Sequence, residues 1–147
     1  MCGLAGVLSE PRHGAVSFEV LRRMAAMLRH RGPDGYGLYR DDRIGLAHTR
    51  LSIVDLAGGA QPIHNEDRTV WVVFNGEIFN HVELRRELEA RGHRFYTRSD
   101  TEVIVHGFEE WGAAAWEHFN GQFAFALWDD RERRLWLVRD PPGILPL

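Results

Sequence analysis

Cys2 is the single cysteine of the chain, set in Met1-Cys2-Gly3-Leu4-Ala5-Gly6. A residue this small at position 2 permits cellular removal of Met1, which leaves Cys2 with both a thiol and a free α-amine. A thiol titrates near ~8.5 and an α-amine near ~7.7–8.0, so one residue then holds a nucleophile together with a base for its proton. The chemistry on offer is covalent, nucleophilic catalysis by one residue instead of the usual two. The plainer reading is a small apolar residue opening a buried strand, since free cysteines are commonly buried and inert, and position alone favours it. A lone cysteine also excludes a disulfide framework.

Other residues with chemical potential also have a plain alternative when taken singly. Arg50, in His48-Thr49-Arg50-Leu51-Ser52-Ile53, reads as an outward strand residue with its head in water. Asn75-Gly76 is the strongest short hairpin signal and predicts a type I′ turn. Asp100 occupies a helix-capping position. Arg31-Gly32-Pro33-Asp34-Gly35 lacks phosphate-loop spacing and a preceding strand, so it reads as a turn. The eight histidines form no linear metal-binding pattern such as His-Glu-x-x-His, and no metal is expected.

The elements that would position these residues follow from periodicity. Gly3 to Leu8 reads as a short strand, followed by a loop through Pro11 and Gly14. Ser17 caps a helix with Leu21, Met24, Ala25 and Leu28 on one face and Gly32 as its stop. Tyr36 to Arg40 and Ile44 to Ser52 are strands joined at Asp41-Asp42, and Val70 to Phe74 is another, bounded by Asn75-Gly76. Asn80 caps a second helix through Leu84 and Leu88 to Gly92. Ser99-Asp100-Thr101-Glu102 reads as a capping box opening a third helix through Phe108 to Gly112, and Ala113 to Phe119 as a short fourth. Phe123, Phe125 and Leu127 alternate along a strand, the segment from Asp129 to Glu132 turns it, and Leu135 to Arg139 returns. Strands at both ends with helices between predict an α+β fold of antiparallel sheets covered by helices.

The 147 residues make one domain of ordinary size, with a formal net charge of -3. Arginines alternate with glutamates between Glu83 and Arg94, a solvated helix face, and nothing suggests nucleic-acid binding. The Leu4 to Leu8 run is too short for a signal segment, and no stretch approaches the ~20 apolar residues of a membrane span. No membrane partner is expected, and a cytoplasmic location is the default.

Taken together and in order, the motifs are specific. The set Cys2-Gly3-Leu4-Ala5-Gly6, Arg29-His30-Arg31-Gly32-Pro33-Asp34, Arg50-Leu51-Ser52-Ile53-Val54-Asp55, Gln61-Pro62, Asn75-Gly76-Glu77-Ile78-Phe79-Asn80 and Ser99-Asp100-Thr101-Glu102 resembles the class II glutamine amidotransferase domain. It is similar, more narrowly, to the N-terminal glutaminase half of glutamine-hydrolysing asparagine synthetases, of which the Arg50 to Asp55 run is typical. Phe123 to Asp129, Arg139-Asp140, Gly143-Ile144 and Pro146-Leu147 extend the resemblance over residues 1–147. Pro141-Pro142 and Leu145 depart from positions that are often polar or basic in relatives.

The resemblance implies the N-terminal nucleophile hydrolase fold, a four-layer αββα sandwich of two antiparallel sheets. It implies that Cys2 attacks the side-chain amide of L-glutamine, with its own α-amine as base, and that water opens the resulting γ-glutamyl thioester to glutamate. The Asn75 side chain and Gly76 N–H would form the oxyanion hole. Arg50 would hold the α-carboxylate through its planar fork, Asp100 and Glu77 the α-ammonium, and Leu51, Ile53 and Val54 would line the pocket. No cofactor is implied for this half-reaction. ATP and Mg belong to a following synthetase domain, the expected partner, which this chain does not contain; the acceptor is then aspartate or another carboxylate, and a homodimer is allowed. The tail from Ile144 onward is expected to begin the interface with that domain. A different class of reading is a catalytically silent amidotransferase-like binding or structural module.

Overall fold

Strand alternation sorts the buried apolar side chains of the described residues into three clusters. In the computed structural model, which describes residues 1–10, 12, 14–53, 55 and 58–147, β1 (Gly3–Leu8), β2 (Gly35–Arg40) and β3 (Ile44–Arg50) form an antiparallel sheet in the order β1-β3-β2. A second antiparallel sheet runs β4 (Ile63–His64), β5 (Val70–Ile78), β6 (Gly121–Asp129), β7 (Arg134–Arg139) in spatial order. The helices are α1 (Phe18–Met27), α2 (His81–Ala90), α3 (Glu102–Trp111) and the one-turn α4 (Ala115–His118), the last preceded by a 3₁₀ turn at Gly112–Ala114.

Because side chains alternate along a strand, each sheet has two faces to cover. Ala47 of β3 packs under Leu21 and Ala25 of α1. The opposite face of β3, through Ile44 and Leu46, meets Val73, Ala126 and Trp128 of the second sheet. Trp128 is fully buried there, and its indole N–H donates to Asp41 Oδ2 at 2.8 Å, which satisfies the one polar group the ring carries inside. The far face of the second sheet, Val70, Val72, Phe74, Phe123, Phe125 and Leu127, packs against Leu84, Leu88, Val103, Ile104 and Phe108 of α2 and α3. The layers are therefore α1, first sheet, second sheet, α2 with α3, which is the expected αββα sandwich.

Four local expectations change. Asn75-Gly76 is not a hairpin turn: β5 runs straight through it to Ile78, with Asn75 opposite Ala124 and Gly76 opposite Phe123. Pairing to β6 along the full strand outweighs the local turn preference, and Gly76 is needed for another reason. Its φ is 150°, and a Cβ there would collide with the Gln122 carbonyl. The Ser99–Glu102 capping box does not form: α3 begins at Glu102, but Thr101 makes no side-chain cap. The Glu102 carboxylate instead accepts from the N–H groups of Tyr96 and Thr97 at 2.8 and 2.7 Å, tertiary partners that a four-residue pattern cannot reveal. Asn80 precedes α2 without capping it; its amide joins His118 O and the Asn120 N–H, both at 2.9 Å, and so fastens α2 to the start of β6. Helix α1 ends at Met27, before Gly32, whereas Ser17 caps it as expected, accepting from the Val20 N–H at 3.2 Å. Pro11 of the predicted first loop lies outside the described residues.

Candidate active site

The space between the two sheets opens where β1 begins, β3 ends, β5 nears its C-terminus and β6 starts. That opening is a cleft of about 190 Å³, lined by Met1, Cys2, Arg50, Leu51, Ile53, Gly59, Gln61, Phe74, Asn75, Gly76, Glu77, Ser99, Asp100, Thr101, Gln122 and Leu145. It suits one small molecule, being below the range of ~300–1,000 Å³ typical of drug-sized sites. The structure brings together all but one of the predicted site residues: Cys2, Arg50, Leu51, Ile53, Asn75, Gly76, Glu77 and Asp100 share this cleft. Val54 lies outside the described residues.

Cys2 is half-buried at the strand end and is anchored by backbone on both sides. The Leu51 N–H donates to its Sγ at 3.4 Å and the thiol faces Leu51 O at 3.7 Å, so the sulfur has one neighbour that suits a thiolate and one that suits a thiol. The Arg31 guanidinium donates from Nε to Cys2 O at 3.0 Å. Arg31 reaches it because the Gly32 turn packs directly on β3: a Cβ at Gly32 would collide with the Thr49 carbonyl. Asp34 accepts the Ser52 N–H at 2.7 Å. The segment read as a plain turn is thus the clamp that places the cysteine and the loop after β3. With Met1 present, the Cys2 nitrogen is part of a peptide bond and Met1 itself lines the cleft.

Asn75 is buried on the face of β5 shared with Val73, toward the first sheet. The backbone just before it is held from two directions. Gln61 pairs with Phe74 through both ends of its amide, Oε1 accepting the Phe74 N–H at 2.7 Å and Nε2 donating to Phe74 O at 3.1 Å. From the first sheet, His48 Nε2 lies 3.2 Å from the same carbonyl, and since a carbonyl only accepts, that nitrogen carries the proton. Burial holds the His48 pKa down at about 4, so the ring is neutral at pH 7. Sequence reasoning assigned no role to Gln61, His48 or Arg31. Gln61-Pro62 and the segment around Arg31 were visible as motifs; what each side chain reaches was not.

On the opposite wall, Asp100 is 3% exposed. Burial raises its pKa above the usual carboxylate range, although its Oδ2 accepts the Ile78 N–H at 3.0 Å. A buried carboxylate at the edge of a cleft is stabilised in its charged form by an incoming cation. Arg50 projects from the end of β3, where its Nη2 donates to Asp55 O at 2.5 Å. Asp55 in turn accepts from the N–H groups of Gly58 at 3.0 Å and Arg98 at 2.8 Å, contacts that hold its carboxyl below the ordinary range. This loop therefore links the cationic and anionic walls. Glu77 is exposed at the rim. Leu145 was expected at the start of an interface, yet it is buried against the cleft, its N–H and that of Ile144 bonded to Asp140. Ile144 and Leu147 are 57% and 54% exposed.

Among the described residues lining the cleft, the ionisable side chains are Cys2, Arg50, Glu77 and Asp100, and no histidine is among them. A thiol, a cation at one wall and a buried carboxylate at another can hold a zwitterion with a carbonyl presented to sulfur. No helix among the described residues is long and apolar enough to cross a membrane. The family described as "Glutamine amidotransferase domain" matches residues 1–147. The chain is 43% identical to asparagine synthetase [glutamine-hydrolyzing] 1 of Bacillus subtilis and 43% identical to asparagine synthetase [glutamine-hydrolyzing] of Zea mays, in each case over 100% of this chain. It spans about a quarter of those relatives' length, 24% and 25% respectively. Among solved structures, the glutamine phosphoribosylpyrophosphate amidotransferase of B. subtilis superposes with a TM-score of 0.67 at 19% identity, covering 97% of this chain and 37% of that one, a likeness of fold. The αββα sandwich is the N-terminal nucleophile hydrolase fold, and the chain belongs to the glutamine amidotransferase domain family.

Proposed function

We propose that this domain hydrolyses L-glutamine to glutamate and ammonia through a γ-glutamyl thioester on Cys2. The observation that carries the reading is the cysteine at position 2, which lines a cleft that also holds Asn75, Gly76, Arg50 and Asp100 but, among the described lining residues, no histidine to serve as its base. His48 is the nearest alternative in sequence to Arg50, but its protonated nitrogen is committed to Phe74. Removal of Met1 supplies the missing base as the Cys2 α-amine, which takes the thiol proton and returns it to the departing ammonia. The side-chain amide of Asn75 and the Gly76 N–H stabilise the oxyanion of the tetrahedral intermediate. Arg50 binds the substrate carboxylate, while Asp100, with Glu77 at the rim, binds its ammonium. Leu51, Ile53 and Val54 complete the pocket wall. The hydrolysis uses no metal or organic cofactor.

The ammonia is supplied to an ATP-dependent synthetase domain of the asparagine synthetase type, as the length of the relatives suggests. The test is turnover of glutamine measured beside intact mass on the same preparation. Protein lacking Met1 is active and Cys2→Ala is inactive but folded; full activity with Met1 retained overturns the mechanism.

A further inference from the structure

Two histidines that no linear pattern joins meet two glutamates, none of them lining the cleft. Glu66 comes from the β4–β5 turn, His93 from the α2–α3 connection, and His106 and Glu109 from adjacent turns of α3. One ligand atom from each lies within 4.8 Å of the other three. His106 Nδ1 is 3.2 Å from Glu66 Oε2 and 3.6 Å from Glu109 Oε2; His93 Nδ1 is 3.5 Å from Glu66 Oε1 and 3.9 Å from Glu109 Oε2. Tetrahedral zinc, with bonds of about 2.0–2.2 Å to nitrogen and oxygen, places its ligand atoms roughly 3.3–3.6 Å apart.

Each of these residues also has an outer partner. His106 Nε2 is 3.2 Å from buried Glu102, and His93 Nε2 is 3.4 Å from Glu110. Asn65 donates to Glu109 Oε1 at 2.7 Å, and the Arg94 N–H to Glu66 Oε1 at 2.8 Å. Outer partners of this kind orient metal ligands and fix the imidazole tautomer. The inward atoms, by contrast, are left wanting. His106 is 0% exposed, and neither its Nδ1 nor Glu109 Oε2 makes a hydrogen bond despite their proximity, a condition that buried polar atoms rarely tolerate.

We propose that Glu66, His93, His106 and Glu109 form a structural site for a divalent transition ion, with Zn²⁺ the species that suits two imidazoles and two carboxylates. Four protein ligands leave no open position, so the site braces rather than catalyses. It ties the β4–β5 turn and the α2–α3 connection to the helix that follows Asp100 and Thr101 of the cleft.

The test is titration of the metal-free chain with Co²⁺, read by visible absorption and calorimetry, followed by displacement with Zn²⁺. One equivalent binds with the intense bands of tetrahedral cobalt, and Cys2→Ala leaves both stoichiometry and spectrum unchanged, excluding a thiolate ligand. His93→Ala, a partly exposed position, and Glu109→Gln each weaken binding at least tenfold, and Glu102→Gln weakens it about 10- to 100-fold. Zn²⁺ raises the melting temperature of the unsubstituted chain and not that of His93→Ala. Absence of stoichiometric binding overturns the site. So does binding that His93→Ala and Glu109→Gln leave unchanged.

Discussion

Asn75 and Asp100 are the residues where a structural and a chemical role make opposite predictions. If Asn75 donates to the oxyanion, Asn75→Ala lowers kcat by about 10²- to 10³-fold, about 2.7–4 kcal/mol, with little change in the glutamine KM. Were it only a strand residue, the loss would appear in Tm and leave kcat per folded molecule unchanged. Asp100 carries a raised pKa because its charge is buried. A carboxylate whose folded pKa lies above its unfolded value contributes stability at low pH, and that contribution is lost as pH rises through the folded pKa. At neutral pH, Asp100→Asn therefore raises the Tm of the unliganded domain while raising KM, since the ammonium loses its counter-ion. In the unsubstituted enzyme, kcat/KM falls on the acid side first with protonation of the Cys2 α-amine and then with that of Asp100, and the substitution removes only the second step. A lowered Tm with normal KM would return Asp100 to a merely structural role.

At the scale of elements, the site is a set of strand ends held in register by polar bridges between layers. Phe74, the residue before Asn75, is bonded by Gln61 from the segment before β4 and by His48 from β3. If Asn75 is the oxyanion donor, such bonds preorganise it so that little reorganisation is needed as charge develops. The His48 bridge has a pH signature. Its pKa falls from 6.5 to about 4 on folding because the ring is buried, so the unfolded chain binds the proton more readily. Stability is then full above pH 6.5 and declines, at up to about 1.4 kcal/mol per pH unit from this one group, as pH falls toward 4. Denaturant unfolding between pH 7 and 4 should show a shallower acid loss in His48→Gln than in the unsubstituted chain. Parallel losses would mean that the ring does not stay neutral in the folded state.

For the whole molecule, the tail is divided in its allegiance. Asp140 accepts the N–H groups of Phe123, Ile144 and Leu145, turning the chain back so that Leu145 closes the cleft. Ile144 and Leu147 remain exposed. Assayed by itself, the chain hydrolyses glutamine and makes no amide product; joined to the ATP-dependent part of a relative, glutamine use becomes coupled to ATP consumption. Measuring glutamate, ammonia and ADP in both forms checks this, and a fused protein that binds no ATP, or consumes it independently of glutamine, would refute the coupling.

What the sequence determined by itself were those features whose causes lie within a few residues or one ordered set of motifs. The heptad-like face of α1, its Ser17 cap, the alternation of β6 and the β6–β7 turn were legible because helix and strand periods are local. The cleft residues were legible because Cys2, Arg50, Asn75-Gly76 and Asp100 occur in order with their neighbours. Only the tertiary structure decided the rest. It extended β5 through Asn75-Gly76, because nine register pairs with β6 outweigh one turn preference. It turned Glu102 from a cap into the anchor of Tyr96, Thr97 and His106, and it gathered Glu66, His93, His106 and Glu109, which lie up to 43 positions apart, around one point. Those outcomes depend on which buried polar groups find partners once the layers close, and a chain read residue by residue carries no record of that competition.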